Sequence, residues 1–256
     1  MSEATLQLLA GDPAREALVV GRVVLVLGDE PVTLELGVPA GAVGFQELLP
    51  ILHGLADLVV ERGVAAAEAA GRTVSCRAGC GACCRQLVPV SQAEARALAA
   101  LVAALPEPRR GEIRRRFDDA LQTLHAGGVI AEIDAARDVT GEAAPDLGLR
   151  YFERGVACPF LEDEACSIHS DRPLVCRQYL VTSPAARCAA PSPETIDMVA
   201  LPARPSRALL LADAEETGAT WMPLVYALAY ADEVPPPAST RAAADMLRDV
   251  FSRLQT

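Results

Sequence analysis

Basic charge is scarce in this chain. Lysine and arginine together number 23 against 34 acidic residues, a net charge of -11 over 256 residues. A surface selected by nucleic-acid phosphates carries the opposite balance, so DNA and RNA are excluded as expected partners. Long apolar runs are missing too: the longest strictly apolar stretch, Ala97 to Leu105, is half of the roughly 18 residues a membrane helix needs. The amino terminus, Met-Ser-Glu-Ala-Thr, has no basic region leading into an apolar core, so a signal peptide is not expected there. Both absences lead to the expectation of a cytoplasmic chain that neither spans nor binds a membrane. Histidine occurs three times, and no internal repeat is visible.

Apolar residues make up 51% of the sequence and charged residues 22%, the balance of a folded globule with a sizeable core. Against this background the eight cysteines stand out. Four lie in the nine residues Cys76-Arg-Ala-Gly-Cys80-Gly-Ala-Cys83-Cys84, and four more, Cys158, Cys166, Cys176 and Cys188, form a looser group downstream. In a reducing compartment such density points to metal ligation or redox chemistry rather than disulfides.

Residues 17 to 38 alternate β-branched and small residues around Gly28-Asp29-Glu30-Pro31, predicting a hairpin of Ala17 to Leu27 and Val32 to Leu36. Apolar residues at Phe45, Leu48, Leu49, Leu52, Leu55 and Val59 recur at helical spacing and predict a helix to about Ala70. Ser91-Gln92-Ala93-Glu94 has the form of a capping box before a helix to Leu105, and a further helix is expected from about Arg110 to His125. A mostly helical excursion between Cys84 and Cys158 brings the two cysteine groups side by side. Pro184 to Pro205 reads as a loop or linker, and Leu209 to Ala212, Trp221 to Ala231 and Thr240 to Leu254 as further helices or short elements. The expected fold is mainly α with a small N-terminal β-hairpin, and irregular cysteine-rich metal-binding loops packed on helices. Its expected divisions are residues 1–75 (hairpin and helix), 76–190 (cysteine cluster) and 191–256 (C-terminal helices packed on the same core).

Cys80 and Cys83 are separated by two small residues, so both sulfurs can converge on one ion while turn amides donate to them; Gly79 and Gly81 permit the tight turn. Cys76 is placed to supply a third ligand. Cys83 and Cys84 are adjacent, and neighbouring side chains diverge on helices and strands. That argues for more than one metal, and Cys158, Cys166, Cys176 and Cys188 bring the thiols to two complete four-sulfur sets. Two divalent ions among eight thiolates leave 8 - 4 = 4 negative charges. Arg77, Arg85, Arg172 and Arg177 are candidate partners for that charge. Pro173 starts a short helix in which the dipole is expected to favour the Cys176 thiolate. His169 is the only histidine near the cysteines and a candidate nitrogen ligand; His53 and His125 read as ordinary helix residues.

The spacing Cys76-x3-Cys80-x2-Cys83 also equals that of radical S-adenosylmethionine enzymes, but helices rather than β/α units follow it. Zinc ribbons use paired knuckles, whereas the second group here is spread over 31 residues. The blocks Cys80-Gly-Ala-Cys-Cys-Arg85, Cys158-Pro-Phe-Leu161, Cys166-Ser-Ile-His169 and Arg172-Pro-Leu-Val-Cys-Arg-Gln-Tyr179 together resemble the YkgJ-type cysteine-cluster family, associated with zinc or iron chelation. The resemblance spans about Cys76 to Cys188. It departs from the family at Cys76, with three residues before Cys80 where two are usual, and at His169, where tyrosine is common. It implies chelation of zinc or iron, an iron-sulfur cluster such as 4Fe-4S included, with all eight cysteines as candidate ligands. Two other readings stand beside it. One is a metal- or iron-sulfur-dependent enzyme that modifies protein, as the related flagellin lysine methylases do, although no glycine-rich strand-turn-helix for S-adenosylmethionine is present. The other is a metal carrier or sensor.

Overall fold

The computed structural model describes residues 6–11, 17–140, 145–192, 194–218, 221–237 and 241–254. Residues 1 to 5 and Thr240, on which two of the sequence readings fall, lie outside them. The elements in chain order are β1 (Leu6–Leu9), β2 (Leu18–Leu27), β3 (Glu30–Pro39), α1 (Phe45–Ala69), α2 (Gln92–Ala103), α3 (Arg109–Ala126), α4 (Val129–Thr140), α5 (Pro145–Glu153), α6 (Leu174–Gln178), α7 (Pro205–Thr217), α8 (Ala227–Glu233) and α9 (Ala243–Ser252). The fold is mainly helical with a small N-terminal sheet, and most of the cysteines lie in loops and short turns near helices, Cys176 being within α6.

β2 and β3 form the expected hairpin, antiparallel from Leu18 opposite Pro39 to Leu27 opposite Glu30. Gly28, at φ 66°, makes the turn at a backbone conformation costly for residues with a Cβ. The sequence reading missed β1, which pairs in parallel with β3 at Leu6 opposite Leu34. Four residues are too few for a periodic signal. Alternation puts Val32, Leu34, Leu36 and Val38 of β3 on the buried face. The outer face of the edge strand β2 leaves Val20, Val24 and Val26 exposed.

Under the sheet lies α1. Its start is held by Glu47, whose Oε2 accepts the Gly44 N–H at 2.9 Å, and Leu48, Leu52, Leu55 and Val59 form one fully buried stripe. The same core takes in Leu209 and Ala212 of α7, Leu247 and Val250 of α9, and Leu174 of α6. A second core joins Leu98 and Val102 of α2 with Phe117 of α3, Phe160, Ile168 and Leu224. A third packs Leu124, Ile133, Leu147 and Tyr151 around Trp221. No helix among the described residues is long and apolar enough to cross a membrane.

The capping box of α2 is formed: Glu94 N–H donates to Ser91 Oγ at 3.1 Å, and Ser91 N–H donates to Glu94 Oε2 at 2.9 Å. Helices α2 to α5 carry the chain out and back, so that the Cys158 N–H donates to the Cys84 carbonyl at 2.7 Å. Of the two expectations for Pro184 to Pro205, loop or linker, the structure has the loop. Thr182 N–H donates to Asp197 O and Val199 N–H to Leu180 O, both at 2.8 Å, which closes a loop back onto the cluster.

His53 of α1 is partly buried, and its pKa is lowered to about 4, first by burial and then by Arg177, against the opposing pull of Asp57 and Asp171. Folding therefore disfavours its protonated form. Its contribution to stability is complete above the free imidazole value near 6.5 and is lost as pH falls towards about 4. The His53→Gln protein should show a shallower loss of denaturation midpoint over that interval than wild type, measured by urea titration at a series of pH values.

Candidate metal centre

Three separate stretches deliver the cysteines. Cys76 and Cys80 lie on the irregular segment after α1. Cys83 and Cys84 sit on the single 3-10 turn Ala82–Arg85. Gly79 has φ 79°, the left-handed region, so it supplies conformational freedom. Gly81 is required for a different reason: a Cβ there would stand 2.6 Å from Leu161 Cδ1, 2.8 Å from Glu164 Oε2 and 3.1 Å from the Glu164 backbone. The Gly81→Ala protein is expected to lose about 1–3 kcal/mol through this overpacking, read as a lowered urea midpoint.

The second stretch is a two-residue hairpin, with Leu161 and Glu162 paired to Cys166 and Ala165. Its turn residues, Asp163 and Glu164, both have positive φ, 48° and 58°, the pairing a type I′ turn requires. Arg85 clamps this hairpin to the first turn: Nη1 donates to Glu164 Oε2 at 3.0 Å and to the Gly81 carbonyl at 3.0 Å, and Nη2 donates to Glu164 Oε1 at 2.6 Å. Cys176 follows on α6, and Cys188 is buried on the 3-10 turn Ala185–Ala189, which packs against the turn holding Cys83 and Cys84. The Val181 N–H points at Cys76 Sγ, 3.4 Å away.

The thiols fall into two neighbourhoods by the charges they feel. Cys188 is influenced by Cys76, Cys80 and Cys83, and Cys76 by Cys83 and Cys80. Cys84 is influenced by Cys83, Cys158 and Cys166, and Cys176 by Cys158, Cys83 and Cys166. Cys83 belongs to both. On the tight 3-10 turn Cys83 and Cys84 act on one another, which raises the Cys84 thiol and lowers that of Cys83.

Burial raises the remaining resolved thiols, Cys158 to about 12, and Cys76, Cys166, Cys176 and Cys188 as well. For Cys176 this reverses the expected effect of the helix start. α6 has five residues, and a dipole that short does not offset desolvation together with the charges of Cys158, Cys83, Cys166 and Glu94. Neutral thiols must lose protons to bind a metal, so affinity at such a centre falls with acidification.

Of the four candidate arginines, Arg172 acts on the most thiols. It lowers the thiols of Cys76, Cys83 and Cys166, and its buried Nε has no hydrogen-bond partner among the described residues. Arg77 is exposed. Arg85 is bonded to Glu164 and also feels the charge of Cys84, and Arg177 donates to both oxygens of Asp57 at 3.0 Å. His169 is exposed in the 3-10 turn His169–Asp171, its pKa lowered chiefly by Arg172.

Among the described residues, no three of these cysteine, histidine and carboxylate groups are drawn in to metal-binding distance. The chemistry of the donor set fits a thiophilic ion nonetheless. It comprises eight unpaired cysteines, and the orphaned Arg172 Nε would gain an acceptor when neighbouring sulfurs ionise.

Beside the cluster opens a cleft of about 360 Å³, lined by Gln86, Leu87, Leu149, Phe152, Tyr179 and Met198 among others. Gln86 Nε2 donates to Tyr179 Oη at 2.9 Å. Sequence reading did not single out this cleft, because its walls come from α5 and from loops more than a hundred residues apart.

Compared with known proteins, residues 75–192 match the model of the CxxCxxCC family, whose description is "Putative zinc- or iron-chelating domain". No curated protein and no solved structure matches the chain.

Proposed function

We propose that this protein, whose residues 75–192 carry the CxxCxxCC chelating domain, holds zinc or iron through cysteine thiolates and uses the metal to tie its central loops to the helical core. The observation that carries this reading is the meeting of three separate cysteine-bearing stretches: the Cys158 N–H donates to the Cys84 carbonyl at 2.7 Å, and the turn holding Cys188 packs on the turn holding Cys83 and Cys84. Cys76, Cys80, Cys83 and Cys188 would hold one ion, and Cys84, Cys158, Cys166 and Cys176 a second, with Cys83 at the junction. When bound, the metal supplies cross-linking free energy that thiols alone cannot. Anaerobic purification followed by metal and sulfide analysis tests the reading. Two metal ions per chain in a colourless protein support zinc, whereas visible absorption with matching iron and sulfide supports an iron-sulfur centre, 4Fe-4S being one form. A chain purified without metal that also takes up none overturns it.

The cleft at Gln86 and Tyr179 favours a second reading, an enzyme in which substrate binds next to the centre. Tyr179 lies close enough to Cys188, Cys83 and Cys76 to feel their charge, although burial is the larger cause of its raised pKa. In that case Tyr179→Phe would leave metal content unchanged and abolish modification of a protein substrate.

A further inference from the structure

Glu94 is the third residue of α2 and is 3% exposed. One carboxylate oxygen, Oε2, completes the cap of its own helix by accepting Ser91 N–H at 2.9 Å and Ser91 Oγ–H at 3.1 Å. The other, Oε1, reaches out of the helix and accepts the N–H of Leu174 at 2.8 Å, across 80 residues of chain. Leu174 is the first residue of α6, and Cys176 sits two residues on.

The α2 terminus does not itself require this second bond. Its Glu94 N–H is met by Ser91 Oγ, and its Ala93 N–H by Asp213 Oδ2 at 3.0 Å. A second buried carboxylate beside Asp213 is electrostatically unfavourable, yet Oε1 is given to the start of the cysteine-bearing helix. That helix is too short to hold its own direction. Its other polar anchors include Arg177, which donates to Asp57 of α1 and to the Arg172 and Ser170 carbonyls, and Gln178 Oε1, which accepts from Ser206 Oγ of α7 at 2.5 Å. Leu174 itself is fully buried in the main core.

We propose that Glu94 is a positioning residue for Cys176, transmitting the fixed end of α2 to the thiol through the Leu174 N–H. The proposal rests on Cys176 being one of the chelating thiols, but its test does not depend on bound metal. Purified full-length protein is pulsed with N-ethylmaleimide, and alkylation is read at each cysteine by peptide mass spectrometry. Glutamine at 94 retains a carbonyl oxygen but turns a donating amide towards groups that also donate. In the Glu94→Gln protein Cys176 should label about tenfold faster or more, the scale set by loss of one charge-assisted hydrogen bond, while Cys76 and Cys80 keep their wild-type rates. The Ser91→Ala protein loses the α2 cap but keeps the Glu94–Leu174 bond, and should label Cys176 as wild type does. If Glu94→Gln does not fold, Glu94→Asp, one methylene too short to span both partners, takes its place with the same expectation.

An unchanged Cys176 rate overturns the proposal, and so does equal acceleration at all eight cysteines, which would show general loosening. Metal content measured on the same samples separates the two ideas. A wild-type chain that takes up no metal ends the chelation reading, while the labelling contrast still decides the position of Glu94.

Discussion

Serine in place of Cys158, Cys166 or Cys176 is expected to remove one metal ion and leave the other bound, whereas serine at Cys76, Cys80 or Cys188 removes the opposite one. Serine at Cys83 should disturb both, because its charge acts on thiols of both neighbourhoods. A structural four-thiolate ion stabilises a small domain by an apparent ~10 kcal/mol or more, so each loss is large, but the two should differ in consequence. Cys158 and Cys166 pack against the second core, the one containing Phe117 and Phe160. Cys76 is exposed, and Cys80 lies outside the hydrophobic clusters. Variants of the downstream set should therefore lower the thermal midpoint further than those at Cys76 or Cys80. The measurement is metal per chain by mass spectrometry together with a thermal melt for each variant. Simultaneous loss of both ions from every single variant would replace two adjoining sites by one inseparable cluster.

The second large effect is expected at Phe160. Its ring is 1% exposed and meets Phe117 edge to face, with centroids 5.4 Å apart and planes at 79°. Its carbonyl also accepts the N–H and Oγ–H of Ser167, both at 2.9 Å, so the residue anchors the loop between Cys158 and Cys166 from two sides. Phe160→Ala should cost about 3–5 kcal/mol, from lost transfer energy and a cavity that the flanking helices cannot close. Loss of the aromatic pair is part of that cost. Equilibrium urea unfolding of metal-loaded and metal-free protein checks it, and Phe160→Leu, which retains most of the volume, should cost much less. Equal, small costs for both substitutions would mean that the loop is held by its metal rather than by its packing.

The two cysteine groups of the sequence, each contributing to both neighbourhoods, come into place differently. The upstream four occupy nine consecutive residues and need only local turns. The downstream four depend on the return of α5, on a hairpin whose turn runs through Asp163 and Glu164, and on α6. Nothing in Asp-Glu signals a turn with two positive φ values, since asparagine and glycine are the residues that do. That conformation is maintained by the Arg85–Glu164 pair from the facing loop, a tertiary contact.

What the sequence by itself determined is therefore whatever repeats locally: the β2–β3 hairpin with Gly28 at its turn, the apolar stripe of α1, the capping box at Ser91, and the density of thiols that requires a use. Each arises from residues within a few positions of one another, where side-chain period and backbone preference act without help. Tertiary structure alone decided the rest. It paired β1 with β3, bonded Arg85 to Glu164 and Arg177 to Asp57, and brought Cys188 back on a closed loop. It also raised the Cys176 thiol that a helix start alone would have lowered. Desolvation and long-range pairing depend on what the fold lays against a residue, and neighbours in sequence carry no record of it.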